Sequence, residues 1–303
     1  MNKLVILIVT YNRLDKLKKC LESYTEQTVL PQKILVVDNA STDGTVDFLH
    51  RWQCENAEFK KDVVYLHSNS GGSGGFYAGM KNLRGTDFDW LWISDDDAYP
   101  ESNAIEVLKK SIECNKEYDV FCSSVVTEEG IDTGHRKVIC SKKEPFGNAV
   151  DIDCYKKEYF DINIFSFVGS VISKRVLEEC GLPEKDFFIW FDDTEYSLRV
   201  NQKFKMMCVP SIKVFHDTII EKEWRYSWKT YFGERNKLYA LKKHLTKNEY
   251  RKYEIHYIAG MIKHYFTDHK FYLSQIEGFR DYKKGVLGIT EEHAPGKYKH
   301  GDK

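Results

Sequence analysis

The sequence predicts an α/β fold, a mixed, mostly parallel sheet flanked by helices, followed by a helical C-terminal extension. Three observations lead there. Through the first half, short apolar runs alternate with segments whose apolar residues recur at helical spacing, the pattern of strands joined by crossover helices. Each run stops at a polar cluster, as expected where parallel strands present their carboxyl ends to a ligand. Beyond about Ile220 the texture changes to long helical segments rich in Tyr and Lys.

The elements are taken in chain order. Leu4 to Val9 reads as a buried strand; the run has no small-residue cleavage site and passes directly into Tyr11-Asn12-Arg13, unlike a secretion signal. Leu14, Leu17, Cys20 and Leu21 then recur at helical spacing. Further strands are expected at Ile34 to Val37, Val63 to Leu66, Trp90 to Ile93 and Val120 to Ser123, with a helix between Asn103 and Cys114. Phe165 to Ser173 is an apolar run broken by Gly169. A helix from Lys174 to about Cys180 stops at Gly181-Leu182-Pro183. Two strands close the series, Met206 to Val209 and Ile212 to Phe215. The expected organisation is an α/β domain over 1–220, a basic helical extension over 221–290 and a polar, poorly ordered tail over 291–303.

Composition narrows the class. The 303 residues are 42% hydrophobic, 14% aromatic and 30% charged, which excludes collagenous, low-complexity and wholly disordered chains. Forty-five basic residues against forty-six acidic ones leave a net charge of -1, whereas duplex nucleic-acid binders carry a strong basic excess. The N-terminal half also lacks the mixed aromatic and basic groove of a single-strand binder, so no nucleic-acid partner is expected. Neutrality conceals a division: residues 220–303 hold eighteen basic and eleven acidic side chains, and the rest carries the acidic excess. No run approaches the ~20 apolar residues of a membrane span. Eight scattered cysteines, without a C-x-x-C pair or zinc-ligand spacing, suit reduced thiols and a cytoplasmic location.

Polar residues after the strands carry the chemistry. Asp95-Asp96-Asp97 comes directly after Trp90-Leu91-Trp92-Ile93 and Ser94; alternate carboxylates there can converge on a hard divalent cation, while the plainer reading is a solvated acidic turn. Gly71-Gly72-Ser73-Gly74-Gly75 reads as a loop whose amides can approach a phosphate or sugar, or as a flexible turn; it is neither a Walker nor a dinucleotide fingerprint. Asp38 could accept hydrogen bonds from a ribose or a base edge and Arg13 could meet a diphosphate, but Asp38-Asn39 suits an Asx turn equally well. Asp192, Asp193 and Glu195 lie among aromatic neighbours that limit hydration, where a carboxylate becomes a candidate general base. The alternative is a helix capped by Asp192 with Glu195 paired to Arg199. His216, after the last strand, is a candidate metal ligand or a structural histidine.

The ordered stations V-T-Y-N-R, V-V-D-N-A-S-T-D-G-T, D-D-D, F-V-G-S-V-I and F-D-D-T-E-Y-S-L-R with a following His resemble the inverting family 2 glycosyltransferases of the GT-A fold, over roughly residues 3 to 240. Asn69-Ser70-Gly71-Gly72-Ser73-Gly74-Gly75-Phe76 is similar to the N-x-G-G-x-G-G segment of bacterial galactofuranosyltransferases, and Tyr231 to Asn236 resembles an aromatic-x-x-x-R-N stretch of those and of rhamnosyltransferases. The resemblance implies that Thr10, Arg13, Asp38, Asn69, Gly71, Gly72, Asp95 and Asp96 serve the nucleotide-sugar donor. It implies that Asp95, Asp97 and His216 bind Mn²⁺ or Mg²⁺, and that Asp193 is the general base with support from Asp192 and Glu195.

The function this resemblance implies is transfer of galactofuranose from UDP-galactofuranose to a hydroxyl of a polyprenyl-diphosphate-linked glycan at the inner face of a bacterial membrane. The alternatives are rhamnosyl transfer from dTDP-rhamnose and, more remotely, a non-catalytic glycan-binding or scaffold protein. Trp190, Tyr226 and Trp228 are the aromatic candidates for the acceptor. Tyr226, Trp228, Tyr231, Tyr239, Lys242 and Lys243 interleave aromatic and basic side chains suited to an anionic membrane surface, or to a solvated face or homo-oligomer contact through the C-terminal helices.

Overall fold

A computed structural model describes residues 3–141, 144–218 and 228–295. The elements in chain order are β1 (Leu4–Thr10), α1 (Leu14–Thr25), β2 (Lys33–Asp38), α2 (Thr45–Cys54), β3 (Lys60–Tyr65), α3 (Gly71–Leu83), β4 (Trp90–Asp95), β5 (Ala98–Pro100), α4 (Ala104–Cys114), β6 (Tyr118–Thr127) and β7 (Gly130–Ile131). They continue with β8 (Arg136–Val138), β9 (Asn148–Ala149), β10 (Phe160–Asp161), β11 (Ile164–Phe165), β12 (Ser170–Ser173), α5 (Lys174–Cys180), α6 (Asp192–Asn201), β13 (Lys205–His216), α7 (Lys229–His244), α8 (Lys247–Thr267) and α9 (His269–Lys284). The described residues form two compact units: those within 1–69, 75–183 and 196–219 make one, and those within 70–74, 184–195 and 220–303 the other.

The first unit is built on a mixed sheet of order β10-β13-β6-β12-β4-β1-β2-β3. Strands β3, β2, β1 and β4 run parallel, β12 is antiparallel to β4 and β6, and β6 is parallel to β13. Both faces of β1, β2 and β4 are buried, which is why these strands read as continuous apolar runs, whereas β3 at the sheet edge is partly exposed. Val5, Leu7, Val9, Leu35, Val37, Leu91 and Ile93 point into one core, and Leu4, Ile6, Ile8, Ile34, Val36 and Trp92 into the other. Tyr24 of α1 sets its ring edge-on to Trp92 at 6.1 Å between centroids.

Several expectations change. The glycine segment is the start of helix α3 rather than a loop, and its glycines do packing work: a Cβ on Gly75 would lie 2.4 Å from Val9 Cγ1, and one on Gly79 2.3 Å from Leu7 Cδ1. The two expected strands at 206–209 and 212–215 are one strand, β13, interrupted by a bulge between Val209 and Lys213. Ser124 holds that bulge by donating to the Pro210 carbonyl at 2.9 Å. A second, three-stranded sheet, β11-β8-β9, adds to the expected strands.

In the second unit α7 and α8 pack with α9 around Leu238, Tyr257, Met261 and Tyr282. Thr246 and Glu249 form a reciprocal capping box at the start of α8, and Asp268 caps α9 through the Phe271 amide. The expected loose tail is anchored at its beginning. His293 is buried, stacks on Tyr231 at 3.4 Å between centroids and sits 3.2 Å from Glu277, because Tyr231 offers a flat apolar face inside the helix cluster.

Candidate active site

Register places the candidate residues. Thr10 pairs with Asp38 across β1 and β2, and Val9 pairs with Asp95 across β1 and β4, so three neighbouring parallel strands deliver Thr10, Asp38 and Asp95 at their carboxyl ends. The chain turns after β4 so that Ala98 of β5 pairs with His216 at the end of β13. The Asp217 amide donates to the Asp97 carbonyl at 2.8 Å and fixes that juxtaposition. His216 Nε2 then lies 3.3 Å from Asp97 Oδ1. Asp95, Asp97 and His216 each offer one ligand atom, all within 4.8 Å of one another.

The triplet divides its labour. Asp96 is buried and turned toward Thr10 and Arg13: Thr10 Oγ1 donates to Oδ2 at 2.7 Å and Arg13 Nη1 to Oδ1 at 3.2 Å. Arg13 also donates to Asp97 Oδ2 at 2.7 Å, and Lys16 approaches the same oxygen at 3.6 Å. Asp97 Oδ1, although buried, receives no hydrogen bond among the described residues. Burial, reinforced by the charge of Asp97, pushes the Asp95 carboxyl up to about 7. Burial likewise lifts Asp96 to about 6 against the pull of Arg13. Burial opposes ionisation of Asp97 too, but His216, Arg13 and Lys16 prevail and hold it below the usual carboxylate range. A crowded set of hard carboxylate oxygens beside an imidazole, the ligand atoms of Asp95, Asp97 and His216 within 4.8 Å of one another, fits a divalent cation such as Mn²⁺ or Mg²⁺.

Behind His216 stands a residue that sequence reasoning missed. The His135 ring meets the His216 ring edge-on at 5.4 Å, with its Nε2 3.3 Å from Asp132 and its Nδ1 2.6 Å from Ser166 Oγ. Arg136, fully buried, donates to the carbonyls of Ser123, His135, Val168 and Gly169 at 2.7 to 3.3 Å and ties β6, β8 and the approach to β12 together. Nothing local marks these residues, because hairpin topology alone carries them to the site.

The other N-terminal candidates form a braced turn. Asp38 is buried and both its oxygens accept the Ser41 amide, three residues on, at 3.2 and 3.3 Å, so the carboxylate braces the turn that follows β2. Ser41 Oγ receives the Asn12 amide at 2.9 Å, and Asn39 donates to Asn69 Oδ1 at 3.1 Å.

In the second unit, residues 187–191 adopt a strained path. Phe188, at φ 67° and ψ -60°, is the centre of a γ-turn closed by the Ile189 amide on the Phe187 carbonyl at 2.8 Å; Trp190 and Phe191 also have positive φ. Asn236 Nδ2 holds this path by donating to the carbonyls of Phe187, Ile189 and Trp190 at 2.9 to 3.0 Å. Arg235 Nε fixes the amide through Asn236 Oδ1 at 3.0 Å. Arg235 and Asn236 lie in the resembling stretch 231–236, but their task is invisible without the fold.

Gly71 belongs to the same unit. Its φ is +72°, and a Cβ there would come within 1.9 Å of the Phe188 carbonyl oxygen, so close backbone packing explains this glycine; Gly72 faces open space. Asp192 is buried and Asp193 partly so, with the Thr194 hydroxyl donating to Asp193 at 3.1 Å. Glu195 is fully buried beside Lys243 at 2.9 Å and His244 at 3.1 Å. Trp190 packs over Gly233, and Trp228 packs edge-on to Phe188 and Phe232; Tyr226 lies outside the described residues. Of the expected aromatic and basic membrane face, Tyr231 is buried and donates to Asp281 and Tyr239 is half-buried against Tyr282, while Lys242 and Lys243 are exposed, Lys243 bridging Glu184 and Glu195. Periodic Tyr and Lys residues reveal a helix but not which side is covered.

Comparison with known proteins decides the family. The model of glycosyl transferase family 2 matches residues 5–181. The chain belongs to that family. A galactofuranosyltransferase GlfT1 of Mycobacterium tuberculosis H37Rv is 34% identical over 113 residues, 37% of this chain and 36% of that protein. An uncharacterized glycosyltransferase of Bacillus subtilis, YwdF, is 28% identical over 218 residues, 71% of this chain and 74% of its own length. The aligned part is thus about a third of the mycobacterial relative. Among solved structures, Staphylococcus aureus TarS 1-349 in complex with UDP-GlcNAc superposes with a TM-score of 0.62 at 12% identity, covering 94% of this chain and 81% of that one. GalNAc-T7 with UDP, GalNAc and Mn²⁺ gives 0.65 at 15% identity, covering 93% and 54%. At such identities the likeness establishes the GT-A fold alone. No described helix is long and apolar enough to cross a membrane.

Proposed function

We propose that this family 2 member is an inverting glycosyltransferase that takes a sugar from a nucleotide diphosphate, with UDP-galactofuranose the favoured donor, and passes it to a hydroxyl of a lipid-linked glycan. The observation that carries the reading is the convergence of Asp95, Asp97 and His216 at the carboxyl ends of β4 and β13. The galactofuranose preference rests on the N-x-G-G-x-G-G segment and on the partial likeness to GlfT1. An abequosyltransferase of Salmonella typhimurium, 30% identical over 180 residues, is reason to test other donors, dTDP-rhamnose among them.

In this reading Asp95, Asp97 and His216 hold Mn²⁺ or Mg²⁺, which supplies charge neutralisation for the departing diphosphate. Arg13, oriented by Asp96 and Asp97, meets a diphosphate oxygen, and Thr10, Asp38, Asn69 and Gly72 line the donor. Asp193 accepts the proton of the acceptor hydroxyl as its oxygen attacks the anomeric carbon. The nucleoside diphosphate leaves from the opposite face with the bonding electrons, so the configuration inverts in one displacement. Residues 1–220 supply the chemistry and 221–290 a helical accessory region, working at the inner face of the membrane.

A donor panel tests the reading: purified protein, Mn²⁺ and each sugar nucleotide in turn, with release of free nucleotide measured. Turnover of UDP-galactofuranose above the others is expected. Turnover of another sugar nucleotide instead reassigns the donor, and indifference to every donor with a lipid-linked glycan present refutes glycosyl transfer.

A further inference from the structure

Helix α8 is apolar on two faces, and only one of them is covered by the described residues. Inward, Tyr257 and Met261 enter the buried cluster with Leu238 and Tyr282. Outward, Ile255, Ile262 and Phe266 are 67%, 59% and 79% exposed, and Ala259 is exposed between them. Positions 255, 259, 262 and 266 fall on one stripe of a helix. At its end Tyr265, 49% exposed, packs against Phe266 at 4.9 Å and Tyr272 at 5.2 Å, giving an aromatic corner where α8 meets α9.

The charge bordering this stripe has one sign. Arg251, Lys252 and Lys263 are exposed beside it. The carboxylates of α8 are engaged elsewhere: Glu249 closes the capping box with Thr246, and Glu254 bonds Lys283 at 2.7 Å and Tyr250 at 3.3 Å. An apolar stripe of this kind marks an interaction surface. A second copy of the chain is a poor occupant, because two-fold pairing of like faces would set the same basic side chains against each other. A surface that is apolar beneath and anionic on top satisfies both features.

We propose that the outward face of α8 docks on an anionic lipid bilayer, lying in its plane with Ile255, Ile262 and Phe266 at the boundary between headgroups and acyl chains. Arg251, Lys252 and Lys263 meet the lipid phosphates. The proposal does not depend on the proposed donor chemistry.

Vesicle flotation of the full chain tests this, using phosphatidylcholine with and without phosphatidylglycerol at low and high salt. Binding to the phosphatidylglycerol vesicles is expected, weakening with salt and poor on phosphatidylcholine alone. Ile262→Asp with Phe266→Asp should abolish binding without altering the melting curve. Lys252→Gln with Lys263→Gln should weaken it about 30-fold, since each basic residue near such a surface is worth about 1 kcal/mol and two are removed. The proposal is overturned if folded wild-type protein ignores anionic vesicles at low salt, or if the lysine variant, which is solvent-exposed and folds regardless, binds as wild type. It is equally overturned if sedimentation shows wild-type dimers that the Asp variant dissolves while neither binds vesicles.

Discussion

Asn236 donates its side-chain amide to the carbonyl of Trp190 at 3.0 Å, across 46 positions of sequence. The same nitrogen serves Phe187 and Ile189, so one side chain holds a γ-turn and two further residues in the left-handed region. Backbone in these regions costs about 1–3 kcal/mol per residue and persists only where neighbours over-determine it. The segment leads directly into Asp192 and Asp193, which makes Asn236 a positioning residue for the proposed base.

Asn236→Ala is therefore expected to lower unfolding stability by about 2 kcal/mol, because the part-buried Ile189 and Trp190 carbonyls lose this donor and the strained path loses its brace. Donor turnover should fall by about 100-fold through misplacement of the segment, while Mn²⁺ affinity stays at the wild-type value. Steady-state kinetics beside a Mn²⁺ titration checks this; unchanged kcat would show that the turn does not position the base.

Metal binding separates ligand from neighbour. His216→Ala and Asp97→Ala should each reduce Mn²⁺ affinity by more than about 100-fold, and His135→Ala, which acts on the His216 ring from behind, by about tenfold. Electron paramagnetic resonance of free Mn²⁺ measures all three. Treatment with a chelator should abolish donor turnover, and added Mn²⁺ should restore it.

The glycines of the α3 segment should answer differently to the same substitution. Gly75→Ala places a methyl 2.4 Å from Val9 Cγ1 and should cost about 1–3 kcal/mol in urea unfolding. Gly72→Ala meets nothing within 4 Å and should change stability by no more than about 1 kcal/mol, in the favourable direction if helix propensity dominates.

Arg136→Met removes hydrogen bonds to four carbonyls in one step, of which Gly169 keeps the Ser123 amide as a donor. A loss of about 3 kcal/mol or more is expected from calorimetry. Weaker Mn²⁺ binding should accompany it, because His135 is the adjacent residue.

The parallel strands are legible in the sequence because β1, β2 and β4 are buried on both sides, so their apolar runs end sharply at Thr10, Asp38 and Asp95. The acidic triplet is legible as a cluster, but not its division, since only the register of β5 on β13 turns Asp97 toward His216 and leaves Asp96 to Arg13. The β11-β8-β9 sheet leaves no trace, being made of two- and three-residue strands whose side chains include Arg136, Lys137 and Asn148. The path of 187–191 cannot be read locally because its conformation is imposed by Asn236. Helical spacing reveals that α7 and α8 exist, yet Tyr231 is interior and Phe266 exposed, a choice made by packing against α9.

The proposed base is tested most directly by comparing donor turnover by wild-type protein and Asp193→Asn, in the same preparation, with UDP and Mn²⁺ binding measured alongside. The variant is expected to bind UDP and Mn²⁺ like wild type and to turn over no donor. Normal turnover by Asp193→Asn would refute the assignment and place the base elsewhere.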